Sequence, residues 1–475
     1  MKKVWHKLLL GAALAGLLAT AGCAPLAQYV DPQTLRPLSR AERLFREGER
    51  LAQAGKVAEA NLAYRQAIQV DPNFQPAMRR LAAAYEAQGR RRLAAYFYEQ
   101  SLARVPEDNE ARRALVQVYL ALGKADQAAA AGAPLGLTPQ PAAPAAQPPL
   151  ATLWQSFLEE QSVSGLAVGE NNVFVTTQGG ALYALAKESG EVRWRYAPRD
   201  AKPIVSAPVY SPGADQSLVF FGCENSTLYA VSAADGRKQW SFEAQAPIEG
   251  SPAVSGDSVY AGAMDGTVYA FDRATGGLRW KFAAQGAIQA APLVAGDTVY
   301  VGSLDENLYA IDAESGAERW HFAAVSGIES TPLLDEDLLY FGANDSRVYC
   351  VNAKSAREVW RYPTGDSVYA RPMLQDGRLY VTSVSQALFA LSPETGELLW
   401  RYNAGTFLTC RPGYDRGTVY LVASGDPHLY AIDGATGAEL WTMDTGDWPA
   451  SDPAIVGGVL YLGERDGTVI AYRLP

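Results

Sequence analysis

The sequence predicts an α-helical array followed by an all-β, eight-bladed propeller. Three observations carry this: a 34-residue repeat of small and aromatic residues near the N-terminus, a break rich in proline and alanine, and a second repeat of mostly 40 residues marked by tryptophan. Repeats of this kind specify stacked or radial architectures, in which each unit buries its apolar face against the next. At 475 residues the chain exceeds one ordinary domain, and 48% hydrophobic against 19% charged residues supports packed cores.

In chain order, Lys2, Lys3 and Lys7 precede an apolar run from Leu8 to Leu18 that is short for a membrane span. It ends in Leu18-Ala19-Thr20-Ala21-Gly22-Cys23. Small residues before a cysteine resemble a bacterial lipoprotein cleavage site, although Thr20 stands where leucine is commoner. The resemblance implies a signal peptide over 1–22, acylation of Cys23 and a tether over 23–37. The alternative is a plain secretory signal with an incidental cysteine. Several acyl chains on one residue anchor stably, each buried methylene contributing about 0.8 kcal/mol. Ala24, in place of an aspartate, implies sorting to the outer membrane. The expected location is the bacterial cell envelope, lipid-anchored on the periplasmic face of the outer membrane.

Residues 38–132 carry the first repeat, in units starting at Ala41, Gln75 and Asn109. The eleventh places hold Leu51, Tyr85 and Tyr119, the fifteenth Gly55, Gly89 and Gly123, and the twentieth Ala60, Ala94 and Ala128. Tyr64 and Tyr98 recur four places later, with Pro72 and Pro106 closing two units. Small residues let two helices approach, glycine ends the first and proline closes the second. The pattern resembles the tetratricopeptide (TPR) repeat, with Glu47 and Arg112 as departures and the third unit ending near Gly132. By that resemblance the fifth places, Phe45, Arg79 and Arg113, line a concave groove, where two stacked arginines would take a peptide carboxylate. A merely solvated basic face is the competing reading. Residues 133–150, with six prolines among alanines, predict a semi-extended linker.

From residue 151 to 475 the second repeat sets in. Trp154, Trp194, Trp240, Trp280, Trp320, Trp360, Trp400 and Trp441 recur at spacings of 40, 46, 40, 40, 40, 40 and 41. A strand ending in an aromatic-alanine pair or a variant of it, such as Tyr269-Ala270 or Tyr349-Cys350, precedes each of the last seven. One unit reads Ala270-Phe271-Asp272-Arg273-Ala274-Thr275-Gly276-Gly277-Leu278-Arg279-Trp280. Gly276 suits a turn of positive φ, Asp272 and Thr275 bond turns, and the indole is a slab to dock one blade on its neighbour. Ala356 replaces the glycine in blade 5, predicting a strained turn or one of another type. Four strands per unit are expected, in blade 4 over Ile288–Val294, Thr298–Val301, Asn307–Ile311 and the tryptophan strand. The last unit, ending Ile470-Ala471, lacks a tryptophan strand, while Leu153–Phe157 is such a strand with no unit before it. Pairing the two closes a ring of eight blades.

This repeat resembles that of the pyrroloquinoline quinone (PQQ) propellers, across the whole of 151–475. Enzymes of that family hold PQQ on calcium in the propeller funnel, under adjacent cysteines. No such pair occurs here, nor a C-x-x-C-H haem motif, and the units lack long insertions. His321 and His428 have no ligand spacing, and the turns at Asp265, Asp305 and Asp345 offer too few oxygens for calcium. Beyond Cys23, Cys223, Cys350 and Cys410 fall in different blades, as buried thiols. The reading is non-enzymatic, with no catalytic residue, no metal and no cofactor.

Charge excludes another class. The net charge is −10, but residues 38–124 hold 15 basic against 10 acidic side chains and residues 151–475 hold 22 against 39. An acidic propeller is a poor nucleic-acid binder. Alignment on Pro208, Pro252, Pro292, Pro332, Pro372, Pro412 and Pro453 points to protein binding instead. The preceding residue is Ala207, Ser251, Ala291 or Thr331 in blades 2–5, but Arg371, Arg411 and Asp452 in blades 6–8. Tyr369, Phe407 and Trp448 lead into the same strands. Aromatic residues with arginine are the composition of an interaction hot spot, an Arg411–Asp452 pair filling the channel being the bland alternative. An exported lipoprotein of bare PQQ-type repeats resembles the BamB family, whose members hold other subunits of the outer-membrane β-barrel assembly machinery without chemistry. The helical repeats depart from that family. The resemblance implies a lipid-anchored scaffold, monomeric within a larger complex, whose partners are envelope proteins or peptides. A small-molecule sensor or enzyme using the funnel, and an assembly or export factor of another envelope system, are the alternatives.

Overall fold

The computed structural model describes residues 38–475 apart from 88–90, 123, 136–149 and 161. The signal, tether and Cys23 assignments, and most of the linker, lie outside the described residues. The chain divides into two compact units, Met1–Gln147 and Pro148–Pro475.

In the first unit six helices form three hairpins: α1 (Arg40–Gln53) with α2 (Val57–Val70), α3 (Gln75–Ala87) with α4 (Arg91–Arg104), and α5 (Asn109–Ala121) with α6 (Ala125–Gly132). The odd-numbered helices start where the repeat register puts them, to within a residue. Ser39 and Glu42 cap the first reciprocally, each side chain accepting from the other's backbone N–H. Gly55 takes φ +75 after α1, as a glycine turn requires. Ala60, Ala94 and Ala128 are fully buried, and Tyr64 and Tyr98 pack beside them, their hydroxyls bonded to Glu49 and Glu86 at 2.6 and 2.8 Å. Ala133–Leu135, expected in the linker, instead extend the last helix by a short 3-10 turn.

The second unit is a ring of eight four-stranded antiparallel sheets. In blade 4 the strands are Leu293–Ala295, Thr298–Gly302, Asn307–Asp312 and Glu318–Ala323. The innermost is shorter than expected. The segment Ile288–Pro292 does not join the ladder, because proline has no N–H and the backbone there bonds to neighbouring turns and blades instead. Ring closure follows the expected route: Ala151–Phe157 pairs with Thr468–Arg473 to complete blade 8. Even the irregularity is reproduced. Trp154 lies opposite Ala471 and Thr152 opposite Tyr472, as Trp280 lies opposite Ala270 and Leu278 opposite Phe271. Leu150, assigned to the linker from sequence, is 1% exposed in the core between blades 7 and 8.

The indoles dock blade on blade. Trp154, Trp240, Trp280, Trp320 and Trp360 donate from Nε1 to the turn carbonyl of the next blade at 2.8–3.0 Å, Trp194 and Trp400 at 3.3 and 3.1 Å. Trp441 faces blade 8, whose outer strand comes from the other end of the chain, and packs instead on Tyr420 and the apolar cluster of Leu150 and Leu474. Except at Trp320, which meets the Ala356 turn, each indole docked by a hydrogen bond lies on a turn glycine. A Cβ on Gly276 would stand 2.6 Å from Trp240, and one on Gly316 2.7 Å from Trp280. Blade 5 keeps the same turn despite Ala356, which takes φ 53 and donates to Asn352 O at 2.9 Å, as Gly276 does to Asp272 O. Its turn is therefore strained, not of another type.

Candidate functional site

Blades 2–8 send the chain toward the ring axis through five residues ending in the aligned proline, which Leu166 replaces in blade 1. In blades 2–5 burial alternates strictly along them. Ile204, Ile248, Ile288 and Ile328 are buried, the third residue is buried and the fifth is the buried proline, while the second and fourth are partly exposed. This is an extended backbone that presents alternate side chains to the axis and anchors the rest in the blades. One residue earlier, a backbone clamp recurs in all eight blades. Its carbonyl accepts from the turn between the second and third strands, as in Met264 N to Pro247 O at 2.9 Å, Ser424 N to Phe407 O at 3.0 Å and Arg465 N to Trp448 O at 2.9 Å.

The fourth residues form a belt from blade to blade. Ala207 N donates to Ser251 Oγ at 2.9 Å, Ala291 N to Thr331 Oγ1 at 3.2 Å, and Arg411 N to Asp452 Oδ1 at 2.8 Å. Asp452 thus takes the place that a hydroxyl fills elsewhere, meeting Arg411 through its backbone. Protein crowds this carboxyl and pushes it above the usual range, against the pull of the Arg411 charge. A cavity of about 550 Å³ is lined by Met373, Arg411, Asp452, Gly165 and Ala207, and so runs along the inner ends of the consecutive blades 6, 7, 8, 1 and 2.

In blades 6–8 the alternation loosens and the side chains grow. Tyr369, Phe407 and Trp448 are 40%, 52% and 43% exposed. Phe407 and Trp448 share the clamped position at the rim, and Tyr369 stands two residues further in. The structure therefore brings the six residues singled out in these blades into one sector. It adds Arg465, which the sequence reading passed over. Its guanidinium lies 4.6 Å from the centre of the Trp448 ring and donates to Ser424 O at 3.1 Å. Arginine is conspicuous at this turn, where blades 3 and 4 carry Met264 and Leu304, and that contrast was the available signal. Arg371 and Arg411 each bury an Nε with no hydrogen-bond partner among the described residues. Burial, and then the charge of Arg411, lower the Arg371 guanidinium to about 10.

The three candidate residues of the helical unit have different surroundings. Phe45 packs against Tyr64 and Phe74, with ring centres 5.8 and 5.6 Å away. Arg79 pairs with Asp108 and Glu110 of the next hairpin at 3.4 and 3.1 Å, so its charge is met within the chain. Arg113 is exposed.

The remaining polar groups are turn chemistry. Asp305, Asp345 and Asp426 accept from the hydroxyls of Tyr309, Tyr349 and Tyr430 four residues on. His321 bonds Glu318 at the surface. Cys223, Cys350 and Cys410 are free thiols, and burial raises the last two to about 12. Among the described residues no three His, Cys, Asp or Glu side chains are gathered as a metal site, and no helix is long and apolar enough to cross a membrane.

Comparison with known proteins agrees with this architecture. No curated protein sequence matches the chain. Among solved structures, the crystal structure of BamB from Moraxella catarrhalis aligns with a TM-score of 0.60 and 19% identity, over 68% of this chain and 98% of that one. The computationally designed Ika8 protein aligns with a TM-score of 0.61 and 18% identity, over 68% and 99%. At such identities these likenesses speak for the fold alone. The family described as outer membrane protein assembly factor BamB matches over residues 148–362 and 344–474, the whole propeller. By that match, the chain belongs to the BamB family.

Proposed function

We propose that this protein is a non-catalytic, lipid-anchored scaffold of the bacterial envelope that holds other proteins, in outer-membrane protein assembly. One observation carries the reading: three half-exposed aromatic side chains and three arginines stand on one sector of the propeller mouth, on backbone clamped to its own blade turns. Rigid aromatic anchors lose little entropy on binding and supply most of the affinity of a protein interface. Membership of the BamB family supports the choice of envelope partners. The helical hairpins, read as TPR-type repeats, add a second protein-binding surface. Acylated Cys23 would hold both units at the membrane.

The test is a crosslinked pull-down from membranes with wild type, Trp448→Ala, Arg371→Ala and, as control, Glu329→Ala. Trp448 lies outside the docking repeat, so its loss leaves the fold intact. Truncating a central anchor weakens binding by about 2 kcal/mol, roughly thirtyfold. Partners retained by the control and lost by the first two variants are expected. The same partner set in all four would refute this sector as the interface.

A further inference from the structure

Arg371 and Arg411 occupy belt positions that blades 2–5 fill with Ala207, Ser251, Ala291 and Thr331, so the fold does not require a large side chain there. Both Nε atoms are buried and unpartnered among the described residues. Burying one guanidinium unpaired is unfavourable, and the like charge beside it adds repulsion. Asp452 offsets part of the Arg411 charge, but its hydrogen bond goes to the Arg411 backbone N–H and leaves both Nε donors unpaired among the described residues. A third cation, Arg465, stacks on Trp448 at the rim. The sector is thus a positive spot on a body with 22 basic and 39 acidic residues.

We propose that the Arg371–Arg411 pair is a carboxylate-binding site that receives an acidic side chain of a partner polypeptide, whose flanking apolar residues pack on Phe407 and Trp448. This rests on the scaffold reading and adds the chemical class of the partner segment. Guanidinium forks match a carboxylate in two parallel hydrogen bonds. The acidic remainder of the propeller repels such a segment, so the field guides it to this sector. The exposed rings favour a polypeptide over a free small acid, since Phe407 and Trp448 at the rim and Tyr369 further in have no role in holding an isolated carboxylate.

The experiment uses the full chain and fluorescence anisotropy with three probes: a labelled peptide alternating glutamate with leucine, its glutamine counterpart, and unlabelled succinate as competitor. The glutamate peptide is expected to bind at least about tenfold more tightly than the glutamine one, in keeping with charge-assisted pairing. Arg371→Gln and Arg411→Gln are each expected to remove the preference, and Arg371→Lys to restore only part of it. Neither glutamine variant is expected to melt below wild type, because each relieves a like-charge contact. Equal binding of the two peptides, or a preference that survives both glutamine variants, overturns the site. Succinate competing as strongly as the glutamate peptide overturns the polypeptide source. A membrane pull-down in which Trp448→Ala loses partners while both glutamine variants keep them overturns the carboxylate site and leaves the scaffold reading standing.

Discussion

Ring closure by the segment Ala151–Phe157 can be tested by where the chain is cut. A chain starting at residue 148 keeps the closing strand, and one starting at 160 loses it. The loss includes Trp154, Leu150 and Leu158, which are 8%, 1% and 3% exposed. Emptying a buried Trp site costs about 3–5 kcal/mol and a buried Leu site about 2–5. Leu150 packs between blades 7 and 8, and Trp154 and Leu158 between blades 8 and 1. The first contribution therefore adds to the others, while the latter two share neighbours and overlap. A total on the order of 5–10 kcal/mol results, before the strand's own ladder bonds, against about 5–15 kcal/mol of stability for a whole domain. The shorter chain is expected to lose its cooperative transition in guanidinium, followed by tryptophan fluorescence. A synthetic peptide of residues 150–159 should restore it, gaining about 2.7 kcal/mol at a hundred times its dissociation constant. Equal midpoints for the two chains would refute eight-bladed closure by this strand.

Ala356→Gly should stabilise the propeller by about 0.5–1 kcal/mol, since φ 53 suits glycine, read as a raised denaturation midpoint. Gly316→Ala should act oppositely and more strongly, because its new Cβ meets Trp280. Cys23→Ser should release the protein from membranes into the soluble periplasmic fraction, and continued sedimentation with membranes counts against lipid anchoring. Calcium with PQQ should leave the melting temperature unchanged, whereas saturation at a hundred dissociation constants would add about 2.7 kcal/mol.

The docking repeat was legible because each blade repeats one physical demand. An indole lies flat on a turn, so tryptophan and glycine recur together, and Ala356 marks the turn under strain. The same reading overran the innermost strands, because apolar alternation extends through Pro292 although hydrogen bonding does not. The sequence offered an Arg411–Asp452 pair only as the alternative to a binding role for Asp452. That aspartate serves as a backbone acceptor, a role visible only when neighbouring blades are placed side by side. The Arg465–Trp448 stack joins residues from different turns, which spacing within one unit does not reveal. Arg79 was assigned to a groove from its repeat position, but its carboxylate partners lie one hairpin further along the chain.

The strand that seals the ring also sets an order of events during synthesis. Blades 1 to 7 are local meanders, each able to form as its own stretch of about 40 residues leaves the ribosome. Blade 8 alone needs both ends of the propeller. Its outer strand is made first, and must wait for Thr468–Arg473, which is made last. Through that interval the waiting strand lacks its ladder partner, although Trp154 can already lie on the blade 1 turn, and the nascent ring has an open flank. Unpaired strand edges are where chains associate wrongly. Closure is therefore the last step of assembly, and any factor that aids this protein's folding has most to gain by shielding the unpaired strand edges of blade 8.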